Sequence, residues 1–439
     1  MKRLITLFAA IVFAGQAWAE DFVVGDLAYT ITDTVKHEVS VSAANDSITG
    51  DIKIPSNVEK DGVTYNVTSI SKFAFDECKN ITSITISNYI TCIGSYAFES
   101  CENLKFVNIP NSVARIGANT FSDCKKLTSI NIPNSVTEIG FTAFENCSNL
   151  KEINVAGDNP VYASEKGVLF DKNKTILICF PAGKKGSYTI PYKVEIILDF
   201  AFSGCKGLTA VKIPKSVTNI GNSAFSDCSG LTSVTIPNSV INIGSNAFCD
   251  CKGLVSVIIG NSVTNIGIQA FYGCDNLSKA DFVSIQHLCS IIFGRLGNVS
   301  SSAVTITPMS DDVELIPITI PNYIMRTANP LLYAHHLFVN GKEITDLTIP
   351  ASVKNIGNFT FVGCSNLSSV TISDSVSFIG EGAFWGCSKL TSIIIPDGVE
   401  TIGDGAFCDC SELKSVSIPK SVTSVGEDAF KGCKFEYKE

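Results

Sequence analysis

A cysteine spacing of 23 residues constrains this chain more than any other feature of its sequence. Between successive cysteines one frame of apolar and small residues returns, as the unit from Cys124 to Cys147 shows. The frame residues of that unit are Leu127, Ile130, Ile132, Pro133, Ser135, Val136, Ile139, Gly140, Ala143 and Phe144. Periods of about 20–50 residues are typical of solenoids, in which each unit packs only on its neighbours. The fold class predicted is therefore a repeat solenoid.

Each unit predicts two short strands joined by turns. Apolar and polar residues alternate through residues 130–132, which favours a strand with one buried face. Pro133 has no N–H to donate and ends that strand, and Gly140 is expected at a turn that needs positive φ. Phe144 then lies in a tight helical or 3₁₀ turn. One coil buries too little apolar surface to offset roughly 1–2 kcal/mol of backbone entropy per residue, so the coils must stack.

Interruptions of the period divide the chain into predicted segments. The gap from Cys147 to Cys205 is one unit plus 35 residues, and that from Cys274 to Cys364 is one unit plus 67. The longer insertion is rich in proline and serine and is expected to carry ligand-specific structure. The segments are a signal peptide (1–19), an N-terminal β cap (20–51), repeat block 1 (52–147), a repeat with a hairpin-like insertion (148–204), repeat block 2 (205–274), a repeat with a long insertion (275–363), repeat block 3 (364–433) and a tail (434–439). They predict 12 coils.

The first 19 residues are typical of a secretory signal. Lys2 and Arg3 precede an apolar core over residues 4–14, and Ala17-Trp18-Ala19 fits the cleavage rule, so cleavage is predicted after Ala19. The core is too short to span a bilayer, and no later stretch reaches membrane length. The mature protein is therefore predicted to be secreted or held at the cell surface.

The net charge of −9 becomes more negative when the signal and its two basic residues are removed. An acidic chain argues against nucleic acid or an anionic membrane as the partner.

Seventeen cysteines in an exported chain invite a disulfide framework. Twelve of them, however, share one repeat position, which favours a buried column of small free thiols. Neighbouring coils would place their Cα atoms about 4.8 Å apart, so distance alone leaves disulfides open, although parallel side chains disfavour them. The predicted column is Cys78, Cys101, Cys124, Cys147, Cys205, Cys228, Cys251, Cys274, Cys364, Cys387, Cys410 and Cys433.

No catalytic or metal-binding pattern stands out. The pairs Cys249/Cys251 and Cys408/Cys410 have no histidine close by in sequence, and His335 and His336 would point to opposite faces of a strand. The chain has no G-x-S-x-G nucleophile elbow, P-loop, dinucleotide fingerprint or EF-hand. The acidic residues sit at variable repeat positions, as on a solvated surface. We therefore predict no enzymatic activity, no cofactor and no bound metal.

Two surface rows are the candidate contact regions. The solvent side of the first strand is rich in hydroxyl groups and nearly uncharged, and its apolar members are Phe106, Ile258 and Ile394. The residue after the frame Phe becomes apolar at Cys249, Tyr272, Val362, Trp385 and Cys408, which predicts a stripe about 19 Å long. Aromatic anchors often dominate interface energy, so the stripe is a candidate docking surface. The alternative interpretation is that the long insertion folds over it.

The frame C-x-x-L-x-x-I-x-I-P-x-S-V-x-x-I-G-x-x-A-F, as in residues 228–248, resembles the BspA-like leucine-rich repeat family of bacterial surface proteins. Residues 167–170 with Phe180-Pro181, and residues 329–341, resemble interruptions found in that family. The resemblance implies a leucine-rich-repeat solenoid and non-catalytic recognition of a protein or glycoprotein, or adhesion to host or bacterial surfaces. A self-assembling structural component is the alternative, and binding or hydrolysis of glycan is less favoured. The ligand and the oligomeric state stay open.

Overall fold

The structure, a computed structural model, describes residues 22–294 and 328–434. The predicted signal peptide, residues 295–327 of the long insertion and residues 435–439 of the tail lie outside the described residues. The architecture is a β-solenoid of short strands with few helices, which confirms the predicted fold class. Contacts divide the chain into two compact units, residues 1–173 with 181–183 and residues 174–180 with 184–439. Each unit is described by itself.

Unit 1 begins with an antiparallel meander and continues as coils. The pairs β1–β2 and β2–β3 are antiparallel, and β3 pairs parallel with β6. The first coil begins at Gly50, two residues before the predicted boundary. The strands are β1 (Phe22–Val24), β2 (Leu27–Asp33), β3 (Glu38–Ala43), β4 (Gly50–Lys53), β5 (Asn57–Lys60), β6 (Val63–Ile70), β7 (Ile81–Thr85), β8 (Cys92–Ile93), β9 (Phe106–Asn108), β10 (Arg115–Ile116), β11 (Ser129–Ile132), β12 (Glu138–Ile139), β13 (Glu152–Val155), β14 (Tyr162–Glu165) and β15 (Val168–Asp171).

Unit 2 repeats the same two-strand coil. Its helices are α1 (Ile285–Ser290) and α2 (Leu331–Ala334). Its strands are β16 (Ile176–Cys179), β17 (Gly186–Thr189), β18 (Ile196–Ile197), β19 (Leu208–Lys212), β20 (Asn219–Ile220), β21 (Ser233–Thr235), β22 (Asn242–Ile243), β23 (Ser256–Ile259), β24 (Asn265–Ile266), β25 (Lys279–Phe282), β26 (Ile292–Phe293), β27 (Leu337–Val339), β28 (Lys342–Glu343), β29 (Asp346–Thr348), β30 (Asn355–Ile356), β31 (Ser369–Thr371), β32 (Phe378–Ile379), β33 (Ser392–Ile394), β34 (Thr401–Ile402), β35 (Ser415–Ser417) and β36 (Ser424–Val425).

Parallel pairing joins equivalent strands of successive coils. The first strands of the coils pair in the orders β4-β7-β9 and β11-β13 in unit 1, and β17-β19, β21-β23-β25-β27 and β29-β31-β33-β35 in unit 2. The second strands pair as β6-β8-β10-β12, β16-β18-β20-β22-β24-β26 and β30-β32-β34-β36. Partners such as Ile130 and Ile153 lie one period apart, so like residues stack on like.

Turns connect the second strand of each coil to the next first strand and also bond from coil to coil. The amides of Tyr96, Phe98 and Ser100 donate to carbonyl oxygens of the following coil at 2.8–2.9 Å. Tyr96 and Ser100 adopt φ of 61° and 54°, and equivalent residues of most coils share this left-handed backbone. A left-handed non-glycine residue costs roughly 1–2 kcal/mol, and the regular ladder of bonds holds it in place.

The core is made of columns of identical side chains. The frame phenylalanines stack within each unit, with ring centroids of successive coils 4.7–5.9 Å apart. Each stacked pair adds about 0.5–1.5 kcal/mol beyond its area burial. The frame serines link successive coils at the edge of the core. The Ser112 and Ser135 hydroxyls donate to the Ile90 and Val113 carbonyls of the preceding coil at 2.6 and 2.7 Å.

The frame glycine has a different role from the one predicted. Gly140 is not among the residues with positive φ. It is needed because an added Cβ would lie 2.3 Å from the Ala118 nitrogen of the preceding coil. The positive φ falls instead on Thr142, at 53°. Close coil-to-coil approach, rather than turn conformation, selects glycine at this position.

The cysteine column carries free thiols, and ten of them share one hydrogen-bonding geometry. Each donates its S–H to the carbonyl oxygen of a frame Phe, or of Phe180, in the preceding coil at 3.0–3.5 Å. All seventeen cysteines lie in the described residues and all are free. The thiols point at carbonyls rather than at one another, which explains a column of cysteines without bridges.

Both interruptions of the period contain a coil that lacks a frame cysteine. Those coils start with β13 and β25, so the described residues contain fourteen coils rather than the twelve predicted. In each interruption a buried asparagine precedes a proline. Asn159 donates to the Pro133 and Val136 carbonyls at 2.8 Å, and Asn329 donates to the Phe359 and Thr360 carbonyls at 2.8 and 2.9 Å.

Gly140→Ala should destabilise the protein by about 1–3 kcal/mol, because the new methyl group would overlap the Ala118 backbone. Gly157→Ala is the matched control, since a Cβ there meets nothing within 4 Å. Chemical denaturation of both variants measures the free energy of unfolding. Equal stability of the two variants would contradict the close-approach role.

Asn159→Ala should lower the free energy of unfolding by roughly 1–3 kcal/mol for each buried group that loses its hydrogen-bond partner. The side chain is fully buried and also accepts from the Val161 and Tyr162 amides at 2.9 and 2.8 Å. Asn154→Ala, which removes an exposed amide from the neighbouring strand, is the control. A thermal unfolding midpoint of Asn159→Ala no lower than that of the control would argue against this role.

Candidate functional site

The predicted stripe after the frame Phe is not continuous at the surface. Tyr272 is 38% exposed, and Cys249 and Trp385 are half-buried. Val362 and Cys408 are buried, each with only 1% of its surface exposed. The two buried members cannot contact a partner, so the prediction of an exposed five-residue stripe needs correction.

The returning end of the long insertion explains the burial around Val362. A Cβ on the adjacent Gly363 would lie 3.1 Å from the Leu331 carbonyl of α2, and the His335 ring lies 3.3 Å from the Gly363 carbonyl. Tyr333 of the same helix is half-buried, and this burial raises the pKa of its phenol. The described end of the insertion thus packs beside Gly363, next to this part of the row.

Trp385 is tied to the next coil instead of projecting freely. Its indole N–H donates to the Asp409 carboxylate at 3.0 Å. The hydrogen bond fixes the ring along the row of turns and leaves part of its face in solvent. Tyr272 and Trp385 thus remain accessible in part, but the buried Val362 lies between them in the frame.

The three apolar residues of the first strands project into solvent at separate places. Phe106, Ile258 and Ile394 are 54%, 40% and 72% exposed. Phe106 lies in unit 1 on β9, whereas Ile258 and Ile394 lie in unit 2 on β23 and β33. Within unit 2, β23 and β33 belong to separate sheets, so Ile258 and Ile394 are not neighbours in one sheet.

Ile394 lines a depression in the surface of unit 2. Its neighbours across the sheet are Thr371 on β31 and Ser417 on β35, which are too short to cover it. The depression has a volume of about 590 Å³. Its other lining residues are Ser369, Val370, Ile372, Asp374, Ser392, Ile393, Ile395, Pro396, Asp397 and Pro419. We refer to these residues together with Ile394, Thr371 and Ser417 as the Ile394 depression.

The local sequence accounts for the shape of the Ile394 depression. Buried Ile393 and Ile395 flank Ile394 and anchor β33 in the core, so the side chain between them must point outward. The same frame position is a polar residue in most coils and is apolar only at Ile258 and Ile394. A large aliphatic group is thus held in solvent by its alternation with core residues.

Two carboxylates, Asp374 and Asp397, lie at one end of the Ile394 depression and are exposed. The sequence analysis assigned neither residue to a contact region, although a signal exists. Their frame position, that of Asn134, is acidic at these two residues and in no other coil of the cysteine frame.

The histidines and acidic groups of the described residues are candidate chemical groups. No group of three or more His, Cys, Asp or Glu residues in the described parts of the chain could hold a metal ion. The His336–Glu343 pair, 2.6 Å apart, is exposed on the β27–β28 hairpin and bonds further to Asn366. Burial lowers the pKa of His287, whose Nε2 lies 2.9 Å from the Val263 carbonyl oxygen. Nothing in these groups forms a nucleophile with a base.

Comparison with known proteins identifies the family of the repeat. A family model described as "BspA type Leucine rich repeat region (6 copies)" matches residues 50–164, 179–299 and 334–438. The chain belongs to the BspA-type leucine-rich repeat family. Proteins built from such repeats typically take part in protein–protein interaction. No curated protein matches the chain.

Solved structures show the same fold. A leucine-rich repeat protein from Bacteroides ovatus is 26% identical, with a TM-score of 0.52, and the match covers 94% of this chain and 92% of that one. The pneumococcal vaccine antigen PcpA is 16% identical, with a TM-score of 0.51 and coverage of 92% and 93%. Among residues 22–294 and 328–434, no helix is long and apolar enough to cross a membrane.

Alkylation should separate the column cysteines from the others. Burial raises the pKa of Cys147 from 9.0 to about 12, so at pH 8–9 its reactive thiolate is about a thousandfold scarcer than that of an ordinary thiol. Half-exposed Cys92 and Cys179 should react with iodoacetamide before Cys124 and Cys147 do. Peptide mass spectrometry of the labelled native protein gives the order. Rapid labelling of Cys124 in the folded state, or disulfides within the column, would contradict the buried-thiol geometry.

Proposed function

We propose that this protein is a non-catalytic recognition protein that binds another protein through the solvent side of its first strands, outside the cytoplasm or at the cell surface. The observation that carries the proposal is Ile394, a large aliphatic side chain that is 72% exposed and lines a depression. An apolar anchor surrounded by small polar groups is how many protein interfaces concentrate their binding energy. The repeat family supports the same class of function.

The hydroxyl groups around Ile394 fit the polar part of an interface. Ser369, Thr371 and Ser417 offer donors and acceptors on an otherwise flat sheet surface. Such a surface gives many weak contacts, and affinity then depends on a few buried anchors rather than on area. Localisation outside the cytoplasm rests on the predicted secretory signal of residues 1–19 and the cleavage expected after Ala19.

Tyr272, Trp385, Phe106 and Ile258 remain proposed secondary contacts. Each exposes part of an apolar side chain and lies outside the residues that line the Ile394 depression. They can widen an interface centred on another residue.

Ile394→Ser, which installs the residue found one coil later at Ser417, should weaken binding about thirtyfold, as expected when an anchor worth roughly 2 kcal/mol is lost. Ile292→Asn, which copies Asn265 of the preceding coil, removes an aliphatic side chain that is 68% exposed on a second strand; it is the matched control and should change affinity little. Biolayer interferometry against immobilised extracellular-matrix proteins and glycoproteins measures the affinities. Tyr272→Ala and Trp385→Ala test the secondary contacts.

Three outcomes would count against the proposal. Saturable binding that Ile394→Ser leaves unchanged would remove the anchor from the interface. Absence of saturable binding together with concentration-dependent assembly in light scattering would favour a self-assembling structural protein. Cleavage of a glycoprotein or glycan on the panel would revive an enzymatic role.

A further inference from the structure

The Ile394 depression combines the apolar anchor with a pair of carboxylates that have no described partner. Asp374 and Asp397 are exposed, and neither side chain makes a hydrogen bond or an ion pair within the described parts of the chain. Exposed acidic residues elsewhere in unit 2, such as Asp428 and Glu412, pair with lysines at 2.9 and 2.8 Å. Asp374 and Asp397 therefore differ from these neutralised surface charges.

The fold sets the two carboxylates side by side. They occupy the same frame position of successive coils, three residues after Thr371 and Ile394, which are partners in the parallel sheet. Gly398 allows the second turn to approach the first, because a Cβ there would lie 2.0 Å from the Asp374 carbonyl. Equivalent positions of stacked coils lie about 5 Å apart, so the two turns place acidic residues at neighbouring positions.

A cationic side chain matches this arrangement better than a metal ion does. Calcium takes about 6–8 oxygen ligands, whereas the described residues hold no acidic group of that size here. Lysine and arginine carry an aliphatic stem as well as a charge, and the stem can lie on an apolar surface while the head reaches a carboxylate. The Ile394 depression offers that pair of features within one cavity.

The next coil limits the charged region. Lys420 occupies the frame position that follows Asp374 and Asp397, so the acidic pair ends there. The charge pattern thus selects a single cationic group rather than a long basic tract.

We propose that the Ile394 depression takes a lysine or arginine side chain of a partner polypeptide, with the stem on Ile394 and the head between Asp374 and Asp397. The inference rests on the proposed function, because it names the chemistry of the partner at the same site. It also gives the site a salt dependence, since exposed ion pairs are screened as ionic strength rises.

The experiment uses a defined probe. A fluorescein-labelled peptide carries two leucine–lysine pairs in a glycine–serine background, and matched peptides replace lysine with arginine, glutamine or glutamate. Fluorescence anisotropy compares the unchanged protein with Asp374→Asn, Asp397→Asn and the double variant. A second double variant, Glu195→Gln with Glu400→Gln, removes the same charge from exposed residues that do not line the depression. Thermal unfolding verifies that every variant is folded.

The lysine and arginine peptides should bind saturably, and the glutamine and glutamate peptides should bind more weakly. Each aspartate substitution should weaken binding roughly two- to fivefold, as for exposed ion pairs, and the glutamate control should not. Raising the salt concentration should weaken binding of the lysine peptide and leave binding of the glutamine peptide unchanged. The aspartate double variant should lose affinity for a panel protein that depends on Ile394 as well.

Equal binding of the glutamine and lysine peptides would overturn the inference. So would an equal loss in the glutamate control, because it would show attraction by net charge alone. If Ile394→Ser abolishes binding to a panel protein while the aspartate double variant does not, the cationic inference fails and the proposed function stands. If Ile394→Ser changes no binding at all, both fail.

Discussion

Coil-to-coil hydrogen bonding through the turns is the constraint on which the rest of this structure depends. Strand pairing alone joins only short segments, often two residues in the second strand, as in Arg115–Ile116. The turns add a further ladder, in which the Phe98 and Ser100 amides donate to the next coil at 2.9 Å. Left-handed residues, glycines without room for a Cβ and thiols aimed at carbonyls all follow from this close stacking.

The stacking also explains why candidate contacts lie on the first strands. Inward residues of each strand are committed to the columns of the core, and the outward residues between them are free to vary. Most coils place a small polar residue outward, so a single change to isoleucine at 394 creates a marked local feature. An aspartate can occupy residue 397 for the same reason, because backbone hydrogen bonds rather than that side chain hold the turn.

Much of the fold could be predicted because the period repeats the same physical demands. The burial of Cys124 and Phe121, and the alternation around Ile130, follow from the frame. The reason for Gly140 could not, because the contact with Ala118 depends on how closely two coils approach. The coils of β13 and β25 were missed because they lack the frame cysteine by which the units were counted. The burial of Val362 depends on α2, which lies outside the period.

Amide hydrogen exchange of the turns tests the central claim, the coil-to-coil ladder, most directly. The amides of Tyr96, Phe98 and Ser100 should exchange as slowly as those of the adjacent strand residues Ile93 and Ile116, because all of them are bonded within the stack. Exchange of the turn amides at the rate of an exposed loop, with only the strands protected, would show that the turns do not bond from coil to coil.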